Sequence, residues 1–205
     1  MRDARQQAPA AARNREPILR ILRSVIPENS LVLEIASGTG EHGVYFTEQL
    51  SSVHWQPSDA NLAAIASIRA WRQDSSSRLL EPLQIDVQSP DWWSQVRLDS
   101  AALKAIVNIN MIHISPWAAT EGLLRGAAAL LPQEGILYLY GPYKREGQHT
   151  ANSNAQFDQS LRLQNPEWGV RNLEDVVALG QQHGLELGPV WEMPANNLSV
   201  VLTRS

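Results

Sequence analysis

Hydrophobic residues along this chain fall into short continuous runs that alternate with stretches repeating every third or fourth position. Leu31-Val32-Leu33-Glu34-Ile35 and Ala105-Ile106-Val107-Asn108-Ile109-Asn110 are near-continuous apolar runs, the pattern of strands buried on both faces. Further strands are predicted at His54–Pro57, Leu80–Val87, Ile136–Tyr140, Leu187–Met193 and Leu198–Thr203. Pro57 should end the second strand, and Pro194-Ala195-Asn196-Asn197 should join the last two as a hairpin turn. Helices are predicted from Pro17 to Val25, with Pro17 in the first turn, and from Gly40 to Leu50. A third starts from a cap at Ser58 or Asp59 and carries Leu62, Ile65, Ile68 and Trp71 at every third residue. The remaining two are Trp117–Leu131 and Leu173–His183, the latter capped by Asn172. Asp74–Ser77, the segment around Trp92 and Trp93, Gln133-Glu134-Gly135 and the polar stretch Gly141–Gly169 read as connections.

Strands alternating with helices imply a mostly parallel sheet with right-handed crossovers, helices on both faces and an antiparallel last strand. A chain of 205 residues suits one α/β domain, expected over 11–205 behind a mobile tail of residues 1–10. The connection from His149 to Arg171 is long and polar, as expected of a functional lid. Within it Phe157 and Leu161, four apart, predict a short helix with one buried side.

Net charge is −4, which does not point to nucleic acid. No run approaches the roughly 18 apolar residues of a membrane span, so no membrane association is expected. Met1 to Pro9 carries charge with no apolar stretch behind it, so no secretory signal is expected. The absence of cysteine excludes disulfides, thiolate nucleophiles and Cys-ligated zinc, and fits a reducing, cytoplasmic compartment. His42, His54, His149 and His183 are scattered and form no metal motif, so no metal is expected.

In open parallel sheets ligands sit at the carboxyl ends of the strands. The predicted strand ends carry Glu34 and the turn Ala36-Ser37-Gly38-Thr39-Gly40, then Asp59, then Asp86, then Asn108 and Asn110. Gly38 and Gly40 let a ligand approach the backbone. The helix behind them offers free N–H groups to a carboxylate, such as that of methionine. Asp59 follows Gly40 by roughly 20 residues, the spacing of an acid that accepts from ribose hydroxyls. Asp86 can accept from an adenine amino group, and the Val87 N–H can donate to the ring. Asn108 and Asn110 can meet the methionine end or a second substrate.

Gly38-x-Gly40-x-x-Gly43 also fits the dinucleotide fingerprint, which alone is weak. Glu34 separates the two: a carboxylate disfavours a pyrophosphate and favours a sulfonium with an ammonium. The ligand read from these residues is S-adenosylmethionine (SAM), with S-adenosylhomocysteine (SAH) as product. NAD, or no nucleotide at all, remain the alternatives.

Glu34 to His42 resembles the first motif of class I SAM-dependent methyltransferases. More narrowly, the chain resembles the methyltransferase-like proteins grouped as domain of unknown function 938. The residues that carry this are Arg13-Asn14-x-x-Pro17-Ile18-Leu19, Glu34 to His42, Trp55 to Asp59, Asn108-x-Asn110-Met111-Ile112-His113-Ile114, Tyr140 to Tyr143, and Asn165-Pro166-x-Trp168-Gly169-Val170-Arg171. The resemblance implies a Rossmann-like sheet of seven strands, only the last antiparallel. It brings Ser37, Thr39 and His42 to the cofactor but brings no substrate. Ala36 stands where the first glycine of the broader pattern sits. An alanine there should need φ below zero, so the turn is expected to be reshaped.

Methyl transfer needs alignment more than covalent help. His113, just past the fourth strand, is a candidate base, and Tyr143 a candidate wall of the acceptor pocket. Asn152, Asn154, Phe157, Asp158, Arg162 and Trp168 are candidate acceptor contacts, and Arg13 and Asn14 could reach over the cofactor. With no basic tract or appended domain, a small-molecule acceptor is expected; the oligomeric state is open. The alternative is a non-catalytic SAM-binding or interaction protein that keeps the fold, and a dehydrogenase is a weaker third.

Overall fold

The computed structural model describes residues 3–96 and 103–205. Its principal strands are β1 (Leu31–Ile35), β2 (His54–Asp59), β3 (Leu83–Gln84), β4 (Leu103–Ile109), β5 (Ile136–Gly141), β8 (Leu185–Met193) and β9 (Asn197–Arg204). They form one seven-stranded sheet in the order β3-β2-β1-β4-β5-β9-β8. β1 and β2 run parallel, from Leu31 opposite His54 to Glu34 opposite Pro57. β9 is antiparallel to both of its neighbours, β5 and β8. A separate two-stranded hairpin joins β6 (Lys144–Arg145) to β7 (Gln148–His149). The helices are α1 (Pro9–Val25), α2 (Glu41–Gln49), α3 (Leu62–Arg72), α4 (Trp117–Leu130), α5 (Asn152–Gln164) and α6 (Leu173–Gln182). Among the described residues no helix is long and apolar enough to cross a membrane.

The chain divides into two compact units, with the boundary inside β4 between Val107 and Asn108. The first holds the described residues up to Asp86 and those leading to Val107; the second holds Val87–Val96 and Asn108–Ser205. The first unit's core gathers Ile18, Leu19 and Leu22 of α1, Leu33 and Ile35 of β1, Phe46, Trp55 and Ile68, all at most 2% exposed. The second packs Leu123 and Leu124 of α4, Val176 of α6, and Tyr138, Val200 and Leu202 of the sheet.

Several elements differ from expectation. α1 begins at Pro9, which takes the first helical position, so Pro17 lies inside the helix. The expected tail is anchored from Asp3 on, its first two residues lying outside the described residues. Arg5 pairs with Asp74, and the Gln6 N–H donates to Ser67 Oγ at 2.8 Å. The Ala8 N–H donates to Glu41 Oε2 at 2.6 Å. β2 runs through Pro57 to Asp59, whereas β3 shrinks to two residues. Pro57 and Pro82 offer no N–H to a ladder, so the edge pairing breaks into an isolated bridge of Trp55 with Leu79 and the short pairing of Ser58 with Leu83 and Asp59 with Gln84. α3 is capped not by Ser58 or Asp59 but by Asn61, whose Oδ1 accepts from the Ala63 N–H at 2.8 Å.

Candidate functional site

β1 delivers the chain into the Ala36–Gly40 turn, and α2 carries it away. Ala36, Gly38 and Gly40 all take left-handed backbone, with φ of 58°, 57° and 91°. The expectation of a reshaped turn with Ala36 at negative φ is therefore corrected: alanine takes the glycine conformation, at a cost of roughly 1–2 kcal/mol. Hydrogen bonds from both sides hold it there. Ser37 N–H donates to Ser58 O at 2.8 Å, and Ser58 N–H donates to Ser37 Oγ at 3.1 Å. Gly40 N–H donates to Ser37 O at 3.1 Å. The glycines serve different ends. A Cβ on Gly40 would press on Ile68 at 3.0 Å, so Gly40 lets α3 approach. A Cβ on Gly38 would meet nothing within 4 Å, so Gly38 faces open space, as a ligand cradle requires.

Asp59 closes the turn. Its Oδ2 accepts from the Gly38 N–H at 2.9 Å and its Oδ1 from the Asn61 N–H at 2.9 Å. Each oxygen keeps acceptor capacity for a further donor. Three turn donors, on Ser37, Gly38 and Gly40, are thus already bonded within the protein.

Glu34 faces inward. It is 1% exposed, and its Oε2 accepts from Trp55 Nε1–H at 3.0 Å. Burial pushes its carboxyl up to about 7, against the opposing hydrogen bonds from Trp55 and Ser37. Glu34 thereby also ties β1 to β2. Asn14 Oδ1 lies 2.8 Å from His42 Nε2, which brings α1 to the first turn of α2. Burial, reinforced by Arg15, pushes His42 down to about 4, so the ring is neutral. Thr39 Oγ1 donates to Glu41 Oε2 at 2.9 Å, and Ser67 Oγ donates to Thr39 O at 2.8 Å. Asp86 is exposed at the end of this unit's chain segment.

The second unit holds the other candidates. Val87 is buried, and its carbonyl packs so tightly on α4 that a Cβ on Gly122 would collide with it. Asn108 is buried at the end of β4. Asn110 takes φ of 66° and donates its N–H to Tyr140 O at 2.8 Å. His113 and Tyr143 are both 0% exposed, with rings 4.9 Å apart, edge to face. His113 Nδ1 accepts from the Arg171 N–H at 3.3 Å, and its carbonyl from the Gly169 N–H at 2.9 Å. Burial, reinforced by Arg171, pushes His113 down to about 3, and burial pushes the Tyr143 phenol up. A wholly enclosed imidazole with so low a pKa is a poor general base. His113 thus anchors the 169–171 segment through its ring and its carbonyl.

The stretch Gly141–Gly169, expected as a connection, contains the β6–β7 hairpin, turning at Glu146 and Gly147 with φ of 51° and 75°, and the expected lid that follows carries α5. α5 buries Asn154, Asp158 and Leu161, while Phe157 is 39% exposed, which corrects the expected Phe157–Leu161 face. Asn152 is exposed, and Trp168 is part-buried. Of the six expected acceptor contacts only Arg162 lines the cleft of about 560 Å³ formed with Lys144 and Arg171. Among the described residues no three His, Cys, Asp or Glu side chains gather to hold a metal.

A model of the family described as "Protein of unknown function (DUF938)" matches residues 5–204. One similar solved structure is an O-methyltransferase family protein from Burkholderia thailandensis, with 14% identity and a TM-score of 0.79 over 96% of this chain and 57% of that one. Another is human N-acetylserotonin methyltransferase in complex with SAM, with 12% identity and a TM-score of 0.76 over 96% and 53%. A third is CalO1, a methyltransferase in calicheamicin biosynthesis in SAH-bound form, with 14% identity and a TM-score of 0.72 over 96% and 55%. The chain spans little more than half the length of these structures, and the likeness establishes the methyltransferase fold.

Proposed function

We propose, for a chain that belongs to the DUF938 family of proteins of unknown function, that it is a SAM-dependent methyltransferase acting on a small molecule held by the 141–171 segment. The observation that carries this reading is the Ala36–Gly40 turn: open above Gly38, closed by Asp59, its Ser37, Gly38 and Gly40 donors already bonded. A pyrophosphate needs free amides at the turn. A ribose diol needs acceptors, and Asp59 offers them.

Asp59 would hold the ribose hydroxyls. Asp86 would take the adenine edge. The turn Ala36 to Gly40 would pass under the nucleoside, with Asn14 and His42 beside it. SAM, when bound, supplies a methyl group on a sulfonium that leaves readily. The residues of this chain would bind, orient and exclude water; oriented approach alone is worth roughly 7–11 kcal/mol.

Calorimetry with SAM, SAH and NAD tests the reading. SAM and SAH should bind and NAD should not, and Asp59→Ala should weaken SAM by about 1.5–3 kcal/mol while circular dichroism stays unchanged. Tight NAD binding with indifference to SAM would overturn it. Enclosure of His113 and Tyr143 favours a second reading, a SAM-binding protein without turnover. Labelled methyl passing from SAM into a metabolite extract separates the two.

A further inference from the structure

The cleft in the second unit departs from the charge of the chain as a whole. Net charge is −4, yet three cations, Lys144, Arg162 and Arg171, line the cleft against a single carboxylate, Asp175. Asp175 stands in the first turn of α6, where the helix dipole already offsets its charge.

Asp158, which pairs with Lys144 and Arg162, is shared too widely to neutralise the cations. Its Oδ1 accepts from the Val170 N–H at 2.7 Å. Its Oδ2 lies 3.2 Å from Arg162 Nε, 3.4 Å from Lys144 Nζ and 3.4 Å from His149 Nε2. One negative charge thus serves three basic groups. Arg171 has no ion pair among the described residues. Instead its Nε donates to Ile112 O at 2.9 Å, and its Nη2 donates to Ser115 O at 2.6 Å and Glu167 O at 2.9 Å. The guanidinium also lies 5.6 Å over the Trp117 ring. Burial and the charge of Arg162 hold Arg171 below its ordinary pKa. A part-buried cation kept from carboxylates and pinned in place by carbonyls is costly to the fold on its own terms. It is also preorganised, so an anion meeting it loses little freedom in binding.

We propose that this cleft binds the anionic head group of a small molecule, a carboxylate or a phosphate, between Arg171, Arg162 and Lys144, with Trp117 as a flat apolar wall. If the chain transfers methyl groups to a molecule held by the 141–171 segment, the acceptor is therefore an organic anion; that last step rests on the proposed function, whereas the anion site does not.

Calorimetric titration in the absence of SAM tests it, with benzoate, phenyl phosphate and the neutral benzamide as probes. Benzoate or phenyl phosphate should bind, benzamide should not, and raised ionic strength should weaken the interaction. Which of the two anions binds more tightly identifies the head group. Arg162→Gln and Lys144→Gln should each weaken binding by about tenfold or more, since each removes a charged donor. Arg162 has a half-exposed side chain, so that variant should keep its fold. Arg20→Gln, an exposed change on α1, should bind as wild type does. Absence of binding by both anions, equal binding of benzamide, or unchanged affinity in both cleft variants would overturn the proposal. Failure here leaves SAM affinity and its loss in Asp59→Ala untouched, and anion binding by a protein that ignores SAM would sink only the methyl-transfer reading.

Discussion

Replacing Glu34 by Gln isolates the most strongly perturbed carboxyl of the glycine turn. Glutamine keeps an oxygen to accept the Trp55 indole N–H and removes the proton. Folded, Glu34 titrates at about 7, against 4.5 in the unfolded chain. That gap is worth about 3 kcal/mol. Because the folded value is the higher one, the stabilisation is fully present below pH 4.5 and lost as pH rises through 7. His42 and His113 slope the other way: their folded values of about 4 and about 3 lie below 6.5, so they cost stability as pH falls below 6.5. Both variants share that effect, and it cancels in the difference. Urea midpoints at constant ionic strength, from mildly acid to mildly alkaline buffer, should show wild-type stability minus Glu34→Gln stability declining by roughly 2–3 kcal/mol across the range. Parallel curves would refute the assignment of Glu34 as a carboxyl buried against Trp55.

Ala36→Gly should stabilise the protein by about 0.5–1 kcal/mol in urea unfolding, relief of the left-handed alanine exceeding the added freedom of glycine in the unfolded chain; a loss would mean that the alanine methyl contributes packing. Gly126→Ala should cost about 1–3 kcal/mol by calorimetric melting, because its Cβ would run into Trp92. Trp92 cannot easily step aside, as its Nε1–H is bonded to Gly122 O at 2.9 Å. An unchanged melting temperature would show the ring free to move.

Periodicity made the sheet legible. Apolar runs mark β1, β4 and β5, the turn residues after β1 mark the crossover, and Pro194–Asn197 marks the closing hairpin. Elements held by polar or backbone partners were not legible in the same way. The apolar spacing of α5 points to Phe157 and Leu161, whereas its buried face joins Leu161 to Asn154 and Asp158, which bond the Asn196 carbonyl and the Val170 N–H. The β6–β7 turn puts Glu146 at positive φ, which composition does not signal. α1 was expected to start at Pro17 because proline favours a first turn; the buried Ile18, Leu19 and Leu22 carry the helix past it. Arg171 gave no sign of its place in the cleft, since its partners are carbonyls that any residue could supply.

The position of Glu34 also moves the ground on which SAM is preferred over a dinucleotide. A carboxyl with a pKa near neutrality, turned into the core, is a weak source of field at the turn. An acid at the position of Asp59 would accept from the ribose of either cofactor; what works against a phosphate is that the Gly38 N–H is already held by Asp59 Oδ2. A phosphate brought over Gly38 would find that amide occupied and a carboxylate behind it. A sugar diol in the same place would find a carboxylate with room to accept. Selection against phosphate thus does not rest on Glu34 alone, because the Gly38 N–H beneath the open space is already held by Asp59.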